Sequence, residues 1–254
     1  MLNGVHISGI KGIPEVEEGD DVGSLIYEAI SEMPFDLNDG DIVVVTQKIV
    51  SKSEGKLINL NDVEVEQKAF DMALTLGKDP RLVQLILSES KSVVRCNQER
   101  GILITETKHG FVCANSGIDS SNVKGNEVVA LLPDDPDASA SSILKTLKSL
   151  SGCDKLGVIV TDTFGRAWRE GHVNFSIGTA GFDPFIDYKD TVDAVGKNLK
   201  VTNIAVADEL AAASELVTGK ALNIPAVLIR GACLNFGEGS HQSLIRAIEN
   251  DMFR

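Results

Sequence analysis

The chain has 254 residues, 43% of them hydrophobic and 24% charged, enough for one large domain or two modest ones, and too apolar for a disordered chain. A formal net charge of −13 argues against general nucleic-acid binding, which needs a basic surface, but not against an anionic small substrate met by a few local cations or a metal. No apolar run reaches the roughly 18 residues needed to cross a bilayer, and the start MLNGVHISGIKG lacks the charged and apolar blocks of a secretory leader. A cytoplasmic protein with no membrane partner is the expectation.

In chain order, the turn signal Asn38-Asp39-Gly40 precedes the β-branched run Asp41–Thr46, which reads as a buried strand. Gln47, Lys48, Ser51 and Lys52 follow it; the lysines read either as solvated charges or as phosphate contacts. Residues 66–76 have helical character, and Asp79-Pro80 sets up a second helix with Asp at the N-cap and Pro at N1. Residues 101–105 and 110–114 form a hairpin pattern, followed directly by the polar loop Asn115–Asn122. In the acidic connection 131–137, Asp137 is expected to cap a helix running to about Leu150.

The segment 158–171, VIVTDTFGRAWREG, is the most informative stretch. An apolar strand is expected to end at Thr161-Asp162-Thr163, with Arg166 and Arg169 in the following turn beside Trp168. A strand tip carrying Asp and Thr suits a metal, and two nearby arginines suit phosphate. An ordinary strand end with an Asp-Thr turn fits the same letters, and the segment alone leaves both readings open. Residues 201–206 read as a strand, 208–218 as a helix closed by Gly219, 225–229 as a strand, and 240–253 as a closing amphipathic helix. No repeat or low-complexity linker marks a domain boundary.

Several familiar sites are absent. There is no GxxxxGK[ST], no GxGxxG and no GxSxG. Cys96, Cys113, Cys153 and Cys233 are widely spaced, as are His6, His109, His172 and His241, so a zinc site or disulfide framework is not expected and the thiols read as core or half-buried groups. A metal here would be held by carboxylates, which favours magnesium or manganese. Asp119 and Asn122 in one loop, with Asp162 and Thr163 in another, are the candidate set. Asp134, Asp135 and Asp137 read as a turn and helix cap.

Six stretches taken together resemble a known family: GIPEVEEGDDV (12–22), DGDIVVVTQKIVSKSEG (39–55), HGFVCANSGIDSSNV (109–123), LLPDDPDASA (131–140), VIVTDTFGRAWREG (158–171) and VTNIAVADELAAASELVTGKA (201–221). In this order they are similar to the coenzyme F420-0:L-glutamate ligases, the F420 gamma-glutamyl ligase family. The resemblance implies an α+β fold with mixed β-sheets and flanking helices, particular to the family and distinct from P-loop, Rossmann and ATP-grasp folds. It implies one ligase domain over residues 1–254, with any division into two subdomains left unplaced, and no fused reductase domain. The implied activity is GTP-dependent addition of L-glutamate to the terminal carboxylate of F420-0, or to its gamma-glutamyl tail, through an acyl phosphate. It further implies Mg2+ or Mn2+, with K+ left open as an additional ion, and a homodimer.

By matching positions, the resemblance gives Asp119, Asp162 and Thr163 to the metal. It gives Gly12, Ile13, Pro14, Glu15, Gln47, Lys48, Lys52 and Asn122 to the nucleotide. Arg166 and Arg169 go to phosphate or substrate carboxylates beside Asp162. Where some members carry a metal-binding glutamate, this chain has Lys220 within TGKALNIP (218–225). A protonated lysine cannot ligate a cation, so Lys220 is assigned to the nucleotide phosphates and the number of metals stays open. A paralogous ligase for another carboxylated substrate, or a non-catalytic nucleotide-binding regulator, remains an alternative.

Overall fold

Apolar runs without alternation become strands of a sheet covered on both faces, where every side chain meets a core. In the computed structural model, which describes residues 4–120, 127–189, 191–200, 202–219 and 222–252, the strands are β1 (His6–Ile10), β2 (Asp41–Thr46), β3 (Leu57–Asn59), β4 (Ser90–Asn97), β5 (Ile102–Thr107), β6 (Val112–Ala114), β7 (Val128–Ala130), β8 (Leu156–Arg166), β9 (Arg169–Ala180), β10 (Ile186–Asp187), β11 (Asn203–Ile204) and β12 (Ala226–Arg230). The helices are α1 (Val22–Ser31), α2 (Gln47–Ser53), α3 (Gln67–Leu76), α4 (Pro80–Ser88), α5 (Pro136–Ser151) and α6 (Val206–Thr218). The central sheet has the order β1-β12-β2-β8-β9, with β2 and β8 parallel and the other pairs antiparallel. The fold is thus mixed α+β, and one parallel pair among antiparallel neighbours is not a doubly wound nucleotide-binding sheet.

Alternation along each strand divides its residues between two cores. Val43, Val45, Val158, Val160 and Leu228 join Ile26 and Ile30 of α1 and Leu147 of α5. Ile42, Val44, Ile159, Val227 and Ile229 join Val206, Ala207, Leu210 and Ala211 of α6. Close approach on the α5 side requires glycine at 178, where an added Cβ would lie 2.2 Å from the Pro136 carbonyl oxygen. Two smaller apolar clusters sit apart from the sheet: Ala69, Ala73 and Val83 join α3 to α4, and Leu76 and Ile86 meet Leu103 of β5.

β9 is an edge strand, and carboxylates from both flanking helices satisfy its outward N–H groups. Thr179 N–H donates to Asp137 Oδ1 at 2.8 Å, and Ser176 N–H donates to Asp208 Oδ1 at 3.0 Å. Between these bonds the register slips, from Val160 opposite Gly178 to Thr161 opposite Ser176, so one residue of β9 bulges.

The structure departs from the sequence expectations at several places. The strand does not end at Asp162-Thr163 but continues to Arg166, turns through Ala167-Trp168 and returns as β9, with Arg166 opposite Arg169. The polar letters after Val160 mark the loss of a neighbour, since β2 stops at Thr46 opposite Thr161, and not the end of the strand. The α5 N-cap is Asp135, which accepts from Ala138 N–H. Asp137 lies two residues further on, inside the first turn, and is engaged by β9 and by Ser240 and His241. Residues 240–252 form no amphipathic helix, only the 3-10 turns His241–Leu244 and Ile248–Asn250. Leu244 packs against the α6-side core while Ile248 is 71% exposed, so only the start of the segment is anchored and helical periodicity alone does not fold the rest. The expected strand at 201–206 shrinks to Asn203–Ile204. Cys113 is buried and Cys153 half-buried, but Cys96 and Cys233 are exposed. Among the described residues, no helix is long and apolar enough to cross a membrane.

Candidate active site

A cavity of about 340 Å³ opens where β2 ends and β8 runs on with β9 as its one remaining neighbour. Its walls include Ile13, Pro14 and Glu15 from the β1–α1 loop, Lys48 and Lys52 from α2, Asp162 and Thr163 from β8, and Asn174 from β9. Ser214, Glu215 and Thr218 of α6, with Asn223–Pro225, close the other side. Segments more than 150 residues apart therefore meet in one place.

Each contributor has a local cause. Gly12, with φ +87°, turns the chain out of β1 and hands Ile13–Glu15 to the cavity without lining it itself. Lys48 and Lys52 are four residues apart on α2 and so share one face. Their side chains are largely covered, at 16% and 11% exposure, and this overturns the solvated reading. Lys48 Nζ lies 2.9 Å from Asp119 Oδ2 and Lys52 Nζ 2.6 Å from Glu15 Oε1. Gln47, on the neighbouring face of α2, is buried and accepts from Ser51 Oγ at 2.7 Å, so it supports the helix instead of facing the cavity.

Asp119 reaches the site from a strained turn. Asn115, Ser116 and Gly117 have φ of 52°, 55° and 71°, a run that two non-glycine residues adopt only when held. Buried Ser116 supplies the hold: its N–H donates to Thr105 Oγ1 at 3.0 Å and its hydroxyl to Ile86 O at 3.0 Å. Asp119 then pairs by its backbone with Ala130 and by its carboxylate with Lys48. Asp162 lies between Val160 and Phe164 on the same face of β8, beside Cys113. Burial, and then the Asp162 carboxylate, push the Cys113 thiol up to about 12, so it carries no thiolate for nucleophilic chemistry at neutral pH.

The cavity gathers Ile13, Pro14, Glu15, Lys48, Lys52, Asp162 and Thr163 of the expected residues, with Asp119 joined through Lys48. Arg166 and Arg169 stand further out on the β8–β9 hairpin, where Arg166 Nη2 donates to the Glu170 carbonyl at 2.6 Å. Asn122 and Lys220 lie outside the described residues. Asn174 and Glu215 went unnoticed in the sequence. Asn174 sits directly opposite Thr163 once β9 is known, and Glu215 joins the polar α6 face with Ser214 and Thr218. No periodicity pairs those positions before the strands are paired.

Every polar side chain lining the cavity ends in oxygen, apart from the two lysines and the amides of Asn174 and Asn223; no thiol or imidazole is among them. Such a set fits a hard divalent cation and phosphate oxygens. Among the described residues, no three His, Cys, Asp or Glu side chains form a ready cage.

Comparison with known proteins gives a consistent result. Residues 9–231 match the family model described as F420-0:Gamma-glutamyl ligase. The chain is 45% identical over 254 residues to the Coenzyme F420:L-glutamate ligase of Methanothermobacter thermautotrophicus, covering 99% of each chain. It is 41% identical over 252 residues to that of Methanocaldococcus jannaschii, covering 98% of this chain and 97% of the relative. It is 39% identical over 261 aligned positions to that of Methanopyrus kandleri, covering 100% of both.

Proposed function

The chain belongs to the F420-0:Gamma-glutamyl ligase family, and on that premise we propose that it joins L-glutamate to the terminal carboxylate of coenzyme F420-0 at the expense of GTP. The observation that carries this reading is the meeting of Lys48, Lys52, Asp162 and Thr163 in one cavity. A carboxylate acylates an amine poorly because oxide is a poor leaving group. In the proposed sequence an acceptor carboxylate oxygen attacks the γ-phosphorus of GTP. The bond from that phosphorus to the bridging oxygen breaks, and GDP leaves with the electron pair. The neutral glutamate amine then attacks the acyl carbon of the acyl phosphate. The C–O bond breaks, inorganic phosphate leaves, and the new amide nitrogen gives up a proton.

Both substrates are anions in an acidic protein, so positioning and charge compensation dominate the problem. Lys48 and Lys52 exchange or share their carboxylate partners with phosphate oxygens. Asp162 and Thr163, with Asp119 at the rim, are assigned to hold Mg2+ or Mn2+. A bound divalent cation offsets negative charge on the transferring phosphoryl group. No side chain needs to form a covalent bond, in agreement with the unreactive Cys113. Glu215 adds a third carboxylate to the cavity wall beside Glu15 and Asp162, so the number of ions does not depend on Lys220 alone.

Incubation with F420-0, L-glutamate, GTP and Mn2+ is expected to release GDP and lengthen the tail by mass. Absence of product with every divalent cation tried sinks the assignment. We further propose a cytoplasmic homodimer, for which light scattering should return twice the 27.1 kDa chain mass.

A further inference from the structure

We infer that Asn174 is a positioning residue that fixes the Thr163 hydroxyl as a hydrogen-bond donor into the protein, so that a cation in the cavity would meet that hydroxyl through its oxygen. The inference rests on the reading of Thr163 as a metal ligand and adds the device that makes it one.

The geometry determines the direction of every bond in the chain. Thr163 Oγ1 lies 2.8 Å from Asn174 Oδ1, and Asn174 Nδ2 lies 3.2 Å from Glu215 Oε2. Thr218 Oγ1 also donates to Glu215 Oε2, at 3.1 Å. An ionised carboxylate only accepts, so the amide nitrogen of Asn174 must face Glu215 and its oxygen must face Thr163. That oxygen also only accepts, so the single hydroxyl proton of Thr163 is committed to it. A hydroxyl ligating a cation keeps its proton and must place it somewhere. Asn174 supplies that acceptor at a strand position directly opposite. With Asn174 7% exposed and rooted through Glu215 and Thr218 in α6, the arrangement does not depend on surface side chains. Partners of this kind behind a ligand typically contribute 10- to 100-fold in metal affinity.

The test is titration with Mn2+ alone, following the free-ion electron paramagnetic resonance signal, together with thermal unfolding in EDTA. Asn174→Ala is expected to weaken Mn2+ binding by about 10- to 100-fold. In a Thr163→Val background the same change should have no further effect, because Asn174 acts through Thr163. Asn174→Gln, which keeps an amide oxygen for Thr163 and an amide nitrogen for Glu215, should retain more Mn2+ binding than the alanine variant does, and it guards against misfolding of that variant. A purely structural Asn174 would lower the unfolding temperature in EDTA and leave Mn2+ affinity unchanged. That outcome, additive losses with Thr163→Val, or equal losses in the Gln and Ala variants would overturn the inference. Asp162→Asn separates it from the reading beneath it: lost binding there with intact binding in Asn174→Ala rejects the positioning role alone. Unaltered binding in both rejects the metal site itself.

Discussion

Within the β8–β9 pair, residues 156–161 and 176–180 are buried under helices on both faces, whereas residues 167–172 are exposed and Trp168 at the tip is 85% exposed. Between them lies a short transition, 162–166 and 173–175, where β2 has ended but α6 still covers one face. The candidate active site occupies that transition. The comparison teaches that polar groups collect where a buried sheet loses one neighbour: enough packing remains to fix side chains, and enough space opens for a ligand. The bulge in β9 falls at the same boundary, between Gly178 and Ser176.

The largest effect expected from challenging this division is in the transition. Asp162→Asn should lower turnover by on the order of 100-fold or more, since it removes a charge from the site and keeps the shape. Its urea unfolding midpoint should stay close to the parent's, and a large midpoint shift would instead make Asp162 a structural group. In the inner half the pattern reverses. Ile159→Ala empties a fully buried position and should cost about 2–5 kcal/mol in urea unfolding. Turnover per folded molecule should be retained.

The outer hairpin is expected to be quieter. Arg166→Ala breaks the bond to the Glu170 carbonyl but touches no cavity wall. GTP affinity by calorimetry should be unchanged, and a clear loss would extend the site to the tip. The smallest effect is at the boundary itself. Burial, outweighing the hydrogen bond from Ser176 N–H, raises the Asp208 carboxyl above its ordinary value. Its favourable contribution is therefore present below the unfolded carboxylate value and is lost as pH rises through the raised one. Asp208→Asn keeps an acceptor for Ser176 N–H without a charge to desolvate. It should be the more stable protein at neutral pH, and the advantage should fade on acidification, as followed by urea unfolding across that range.

Much of this was legible in the letters. Asp41–Thr46 and Pro225–Ile229 announced buried strands because β-branched runs without alternation suit a sheet covered twice. Asp79-Pro80 announced its helix because cap and ring chemistry are local. The GIDSSN and VTDTF stretches identified Asp119, Asp162 and Thr163 as a candidate set. The closing helix failed because only its start meets a partner surface, and an amphipathic pattern does not fold unpartnered. The strand at Asp162 was cut short because a polar letter can mark either a chain end or a missing neighbour.

What the sequence determined by itself was therefore local: which segments prefer to extend, where helices start, and which residue types carry charge and oxygen. Tertiary structure decided which of them meet. It set Asn174 opposite Thr163 and Glu215 behind Asn174, held Lys48 against Asp119, and carried Arg166 and Arg169 out along a hairpin. The physical reason is that hydrogen-bond direction and cavity shape depend on strand register and helix placement, and both are fixed by packing between segments far apart in the chain.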